Sequence, residues 1–299
     1  MSPLSLFVLL AALAMGARAN EVLVVSSERS PAYQEAADAM VAELARREVV
    51  QLQLTELPAY SGPGPRLYVA LGTEACSQLA RRALTAPALC TLLPRASFER
   101  VLRETGRRAG ASFSALYLNQ PPGRQLDLIR LALPQVRRVG VLWGPDSVLG
   151  EAALEAAAQA RGLRVVGVPV RPDEPVYTGL RKILDESDVL LALADPQIYN
   201  SNSIQNILLT SIRAQIPMLA FSPAYVRAGA LMAVYSTPRQ IGQQAGALAR
   251  GALQGQPLGP PQFPLQFDVS VNEHVARSLG LRLDAATLAE RLRRLERGP

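Results

Sequence analysis

Short apolar runs alternate with longer amphipathic segments along almost the whole chain. Apolar runs of about five residues are typical of buried strands, whereas apolar residues spaced three and four apart are typical of helices. The short runs predict strands at 21–26, 49–54, 67–71, 88–92, 111–118, 139–143, 163–170, 189–193, 217–221, 230–235 and 267–271. Helical spacing between them is clearest at 95–104, 147–160, 177–184, 200–213 and 238–253.

Strands that alternate with helices predict an α/β protein with parallel sheets flanked by helices on both faces. Two such series, separated by a break near residues 119–136, predict two similar lobes. The Pro- and Gly-rich segment 254–264 predicts that the chain crosses between the lobes more than once. Ligands bind outside the carboxyl ends of parallel strands, so two facing lobes would place those ends on either side of one cleft.

The first residues of the chain have the pattern of an export signal. An apolar run at 4–15 is followed by Ala17, Arg18 and Ala19, which match an A-x-A cleavage pattern. The run is shorter than the roughly 20 apolar residues that a spanning helix needs. We therefore expect residues 1–19 to be a signal peptide and the protein to be periplasmic. The first cysteine, Cys76, lies far from this cleavage site, so we expect no lipid anchor.

Composition and motifs argue against several functional classes. The chain has 299 residues, 49% hydrophobic and 19% charged, which suits a globular core. The net charge of +6 comes from arginines spread along the chain without interleaved aromatics, which does not favour nucleic-acid binding. Walker A and G-x-S-x-G patterns are absent from the sequence, and His274 is its only histidine. We therefore expect a binding protein without a cofactor or metal, not an enzyme.

The two cysteines of the sequence, Cys76 and Cys90, allow two interpretations. They could form a disulfide in an oxidising compartment. Two buried free thiols are equally compatible with this spacing.

Polar residues follow most of the predicted strands directly, where ligands bind in parallel α/β proteins. The candidate ligand-binding residues are Ser26, Ser27, Gly72, Thr73, Asn119, Asp146, Asp195, Asn200, Ser222 and Tyr235. Several precede helices, whose free N–H groups favour an anion such as a carboxylate, held near Thr73. Asp195 would accept hydrogen bonds from an amine. For each residue alone, ordinary helix capping is the alternative.

The second half of the chain resembles a known family. Residues 137–147 (RRVGVLWGPDS), 188–255 and 267–281 look like ABC-transporter substrate-binding proteins, including the tryptophan/tyrosine-binding type. The resemblance extends over about 117–281 and is most specific at 217–242. It implies a type I periplasmic-binding fold with a hinge of three crossings. The implied lobes are 20–119 with 236–265, and 120–235 with 266–299.

The same resemblance implies a small-molecule ligand, such as an amino-acid-like one, and an ABC permease in the inner membrane as partner. We expect a monomer. The first half departs from the family in two places. Residues 55–66 are too short and too rich in Pro and Gly for the family's helix, and Leu93-Pro94-Arg95-Ala96-Ser97 replaces its aspartate-proline loop. These departures suggest an alternative, a sensory or partner-binding protein on the same fold that does not serve transport.

Overall fold

The computed structural model describes residues 21–44, 49–171 and 174–297. The predicted signal peptide, 1–19, lies outside these ranges. Within them, no helix combines the length and apolarity needed to cross a membrane.

The strands form two sheets, which confirms the predicted α/β class. The first sheet has the order β2-β1-β3-β4-β5 and is parallel throughout. Its strands are β1 (Val22–Ser26), β2 (Val49–Gln53), β3 (Leu67–Leu71), β4 (Ala88–Leu93) and β5 (Phe113–Tyr117). The second sheet has the order β11-β10-β9-β8-β6-β7. Its strands are β6 (Arg138–Trp143), β7 (Arg164–Pro169), β8 (Val189–Leu191), β9 (Met218–Ala220), β10 (Met232–Tyr235) and β11 (Asp268–Val271).

One edge strand of the second sheet departs from the predicted parallel arrangement. β11 runs antiparallel to β10, with Tyr235 opposite Asp268 and Met232 opposite Val271. The chain enters β11 beside the point where β10 ends, so β11 has to run back along β10. The order of strands in the sequence does not reveal this direction.

Helices connect the strands and cover the sheets. They are α1 (Pro31–Glu43), α2 (Thr73–Ala80), α3 (Arg95–Thr105), α4 (Pro122–Ala132), α5 (Glu151–Gln159), α6 (Val176–Glu186), α7 (Ile204–Arg213), α8 (Pro223–Ala228), α9 (Pro238–Leu253), α10 (Glu273–Ser278) and α11 (Ala285–Arg297). Short 3₁₀ helices lie at Leu54–Ala59 and Val148–Gly150. The first of these is all the helix that the Pro- and Gly-rich segment 55–66 contributes between β2 and β3.

Two helices of the second lobe, α7 and α8, differ from the prediction. α7 begins at Ile204 and not near residue 200, because the Asn200 side chain accepts hydrogen bonds from the amides of Asn202 and Ser203. That bonding holds a turn in place of a helical start. α8 had no predicted counterpart, although Ser222 caps it.

A late helix packs into the first half of the chain. Cβ atoms at Gly242 and Gly246 of α9 would lie 2.2 and 2.8 Å from the carbonyl oxygens of Ala36 and Met40 in α1. The absence of side chains there lets the two helix backbones come into direct contact. On the same helix, Ile241 joins the apolar cluster of β1, β3 and β4. This distribution of the core supports the proposed lobe boundaries, which remain a prediction.

A buried polar network joins the three segments that connect the sheets. The Gln120 side-chain amide donates to Ser236 Oγ at 2.9 Å, and that hydroxyl donates to the Gln266 carbonyl at 2.6 Å. Arg124, only 6% exposed, donates to Gln120 Oε1 at 2.7 Å and to the Pro264 carbonyl at 2.8 Å. Its guanidinium also pairs with Glu296 of α11 at 2.5 Å. We call Gln120, Arg124, Ser236 and Glu296 the hinge network.

The two cysteines are joined, which decides between the two interpretations that the sequence left open. Cys76 lies in α2 and Cys90 in β4, with their Cα atoms 5.5 Å apart and their sulfurs bonded. Both residues are fully buried in the core of the first lobe.

Reduction of this disulfide is expected to lower the free energy of unfolding by about 3 kcal/mol, because the bond closes a loop in the unfolded chain. Urea unfolding of one preparation, with and without reductant, measures the difference. The double variant Cys76→Ala, Cys90→Ala serves as the control and should not respond to reductant. Two free thiols in the unfolded, unreduced protein would contradict the bond.

Candidate functional site

A cleft lies between the two lobes at the carboxyl ends of their strands. Its cavity measures about 730 Å³. The first lobe contributes the segments that follow β4 and β5, together with Glu35 of α1 and Phe263 of the late crossover. The second lobe contributes the segments after β6, β8, β9 and β10. This is the position expected for a ligand in parallel α/β sheets.

The wall of the cleft is predominantly apolar. Leu118 and Leu149 line it and are 39% and 45% exposed, although both are large aliphatic residues. Three aromatic rings, Phe221, Tyr235 and Phe263, line it as well. Pockets of this kind bind ligands with a substantial apolar part, oriented by a few polar groups.

Four of the predicted site residues line the cleft: Asn119, Asp146, Ser222 and Tyr235. Asn119 Oδ1 accepts a hydrogen bond of 2.6 Å from the backbone amide of Arg95, so it also fixes the start of α3. Ser222 Oγ accepts from the amide of Ala224 at 3.2 Å. Burial raises the pKa of Tyr235, with the nearby Asp268 adding to the rise and Arg227 opposing it. The phenol is therefore neutral and can donate a hydrogen bond at physiological pH.

The predicted residues of the first strand ends lie outside the cavity lining and shape the turn into α2. These residues are Ser26, Ser27, Gly72 and Thr73. Ser27 Oγ donates to the Leu71 carbonyl and accepts from the Ala75 amide, both at 2.9 Å. Gly72 has φ of 91°, and a Cβ there would lie 2.3 Å from Tyr33 Oη. Tyr33 therefore closes over this turn.

Asp195 and Asn200 are also outside the lining, since both are engaged in local structure. Asp195 is 1% exposed. Its carboxylate accepts hydrogen bonds from the amides of Asp146 (3.1 Å), Ser147 (2.9 Å) and Gln197 (3.1 Å), and from Ser147 Oγ (2.9 Å). Asp195 thus supports the loop after β6, which itself lines the cleft. Asn200 has its amide nitrogen on the Pro196 carbonyl and its oxygen on the turn that precedes α7.

Several lining residues were not among the predicted ones. Arg95 and Glu99 of α3 line the cleft and form an ion pair with Nε and Oε1 2.6 Å apart. Phe263 comes from the Pro- and Gly-rich crossover, where no strand end marks it. Phe221 is the residue directly after β9, but it is apolar, and the prediction was based on polar residues after strands.

One ion pair spans the cleft between the lobes. Arg100 of α3 places Nη1 2.8 Å from Oδ1 and 3.1 Å from Oδ2 of Asp146, which belongs to the loop after β6. Asp195 holds the same loop through its backbone amides. The loop is therefore fixed within its own lobe and linked to the other one.

The comparisons with known proteins agree on one family. The family model described as ABC transporter substrate binding protein matches residues 60–292. A tyrosine-binding protein of Clostridioides difficile is 22% identical over 163 residues, 53% of this chain and 47% of the relative. The match therefore spans about half the length of this curated relative.

Solved structures of similar fold cover most of the chain. An ABC domain in complex with L-Trp from Streptococcus pneumonia has a TM-score of 0.62 at 16% identity, covering 90% of this chain and 98% of the other. A ligand-free, open substrate-binding protein with adhesive properties from Clostridium difficile has a TM-score of 0.69 at 17% identity, covering 89% and 96%. Likeness at these identities establishes the fold.

Replacement of Asp195 by alanine is expected to lower the free energy of unfolding by about 3 kcal/mol, because several buried donors lose their acceptor together. Urea unfolding of the ligand-free protein measures the change. Asp185→Ala, at an exposed position on α6, is the control and should change stability by less than about 0.5 kcal/mol. Unaltered stability of Asp195→Ala would show that the carboxylate does not support the loop.

Loss of the ion pair across the cleft is expected to favour an open arrangement of the lobes. Arg100→Gln should increase the radius of gyration measured by small-angle X-ray scattering. Because the pair is partly exposed, salt near 1 M should move the wild-type protein in the same direction. Arg103→Gln, one turn along α3, is the control and should match the wild type. Identical scattering from both variants would show that the pair does not hold the lobes together.

Proposed function

This chain belongs to the family of ABC transporter substrate-binding proteins, and we propose that it captures a small molecule between its two lobes and presents it to an ABC permease. The observation that carries this proposal is the cleft of about 730 Å³, lined by strand ends of both sheets. A site shared by two lobes links ligand binding to their relative position.

The proposed ligand is amino-acid-like and carries a large apolar or aromatic group. Support comes from the lining, in which Phe221, Tyr235, Phe263 and two exposed leucines supply apolar surface. The relatives point the same way, since one is a tyrosine-binding protein and one structure holds L-Trp. Asn119, Ser222 and Tyr235 are the polar side chains that we propose to orient the ligand.

The proposed mechanism is closure of the lobes about the hinge network. A ligand that contacts both walls binds the closed arrangement better than the open one, and it shifts the population by that difference in affinity. The pair of Arg100 and Asp146 adds an attraction between the lobes that does not depend on the ligand. Closure would also remove the exposed leucines of the cleft from water.

The location and the oligomeric state are proposed from the family and from the sequence pattern of residues 1–19. Binding takes place outside the cytoplasm, in the periplasm, after removal of residues 1–19 as a signal peptide. The protein acts as a monomer without catalysis and without nucleic acid. We keep the lobes as 20–119 with 236–265, and 120–235 with 266–299.

L-Tryptophan or L-tyrosine is expected to stabilise the protein, by about 2.7 kcal/mol at a hundred times the dissociation constant. Thermal unfolding and isothermal titration calorimetry measure this, with L-alanine as the ligand control. Phe221→Ala should weaken binding by roughly tenfold or more, because the ligand loses apolar contact area.

The matched control for Phe221→Ala is Leu295→Ala, which removes an apolar side chain that is 55% exposed on α11. It should leave affinity unchanged. If neither amino acid binds the wild-type protein, the proposed ligand class is wrong.

A further inference from the structure

We propose that Arg95 and Glu99 recognise the charged ends of the ligand, Arg95 taking its carboxylate and Glu99 its ammonium group. In the absence of ligand the two side chains neutralise each other, with Nε and Oε1 2.6 Å apart. This inference rests on the proposed function. It assigns the charge selectivity of the site to two residues of α3, which begins in the segment that replaces the family's aspartate-proline loop.

Charge in the cleft is concentrated at this pair. Among the lining residues in the described ranges, Arg95 is the one cation. Two of the three acidic lining residues are paired with arginines that are not in the lining: Asp146 with Arg100 at 2.8 Å, and Glu35 with Arg239 at 3.5 Å. Glu99 differs, because its partner also faces the cavity.

Arg95 lies at the unfavourable end of α3 for a positive charge, although its pairing with Glu99 four residues later supports the helix. Arg95 is the first residue of that helix, where the macrodipole disfavours a positive charge. The preceding Pro94 provides no side-chain cap, and the Arg95 amide is satisfied by Asn119 instead. A residue that goes against the local preference of a helix end, and that lies beside a cavity, is expected where its side chain serves binding.

The segment before Arg95 is also shaped irregularly. Leu92 has φ of 54°, a left-handed conformation that branched side chains rarely adopt. The pairing of β4 with β5 shifts register between Cys90 and Leu93. Such backbone outliers are found where a fold directs a functional group to a site. Here the irregular segment leads straight into Arg95.

The ion pair of Arg95 and Glu99 can be replaced by contacts of each residue with the ligand. The side chains of Arg95 and Glu99 are 37% and 26% exposed, and ion pairs of this exposure are weak in water. The carboxylate and ammonium of an α-amino acid are attached to one carbon, so the zwitterion fits between partners that already meet. Closure of the lobes would then exclude water and strengthen both new contacts, and the planar guanidinium binds a carboxylate with two parallel bonds.

The phenol of Tyr117 is influenced by both charged groups and stays neutral. Burial raises the pKa of this phenol to about 12, while Arg95 lowers it and Glu99 raises it. Its ring contacts that of Phe263 with centroids 5.3 Å apart. Tyr117 therefore adds no charge beside Arg95 and Glu99. It also contacts Phe263, which belongs to the aromatic part of the wall.

The test uses three indole probes in isothermal titration calorimetry: L-tryptophan, tryptamine without the carboxylate, and indole-3-propionate without the ammonium group. The wild-type protein should prefer L-tryptophan to both others. Arg95→Gln should weaken binding of L-tryptophan and indole-3-propionate by about tenfold or more, but not that of tryptamine. Glu99→Gln should weaken binding of L-tryptophan and tryptamine, but not that of indole-3-propionate.

Arg103→Gln, an exposed arginine of the same helix, is the matched control and should bind all three probes as the wild type does. If the wild type binds L-tryptophan and both variants keep its affinity and its order of preference, the inference is overturned and the proposed function stands. If the wild type binds none of the probes, the inference is overturned together with L-tryptophan as a proposed ligand, and capture of another small molecule stands. Circular dichroism of the variants confirms that loss of binding is not loss of fold.

Discussion

The buried guanidinium of Arg124 constrains the relation between the two lobes. A charge removed from water has to be paired and fully hydrogen-bonded, since an unpaired buried charge is strongly destabilising. Arg124 meets this requirement with groups from separate parts of the chain: Gln120, the Pro264 carbonyl and Glu296. It also lies over the ring of Phe267, 4.3 Å from its centroid. The crossings are thereby held in contact while the lobes on either side remain separate bodies.

Side chains at the strand ends have two different tasks in this arrangement. Asp195 accepts hydrogen bonds from backbone amides and a hydroxyl, and it holds the loop after β6, which lines the cleft. Ser27 bonds to the Leu71 carbonyl and the Ala75 amide, and it holds the turn into α2 outside the lining. Asn119 does both, because it fixes the start of α3 and also lines the cavity. A binding site needs both kinds of residue, because polar side chains orient a ligand only when the loops that carry them are held in place. The apolar lining is then free to supply contact area.

Much of the fold could be predicted from the sequence, because the periodicity of apolar residues follows directly from burial. All the predicted strands form, and α9 occupies its predicted range. The antiparallel direction of β11 could not be predicted, since it depends on where the crossover returns in space. For the site, position after a strand selected Asn119, Asp146, Ser222 and Tyr235, which line the cleft, but it could not separate them from Asp195, which does not. That distinction depends on the direction of the side chain, which only tertiary packing determines.

The contact between α9 and α1 also has a consequence for the order of folding. Gly242 and Gly246 lie against the backbone at Ala36 and Met40, about two hundred residues earlier in the chain. The first lobe therefore stays incomplete until the segment that forms most of the second-lobe sheet is also available for folding. Contacts of such long sequence separation form slowly, because loop closure has to precede them. The first lobe thus begins with the earliest strands of the chain and is completed only by α9, after the strands of the second lobe up to β10.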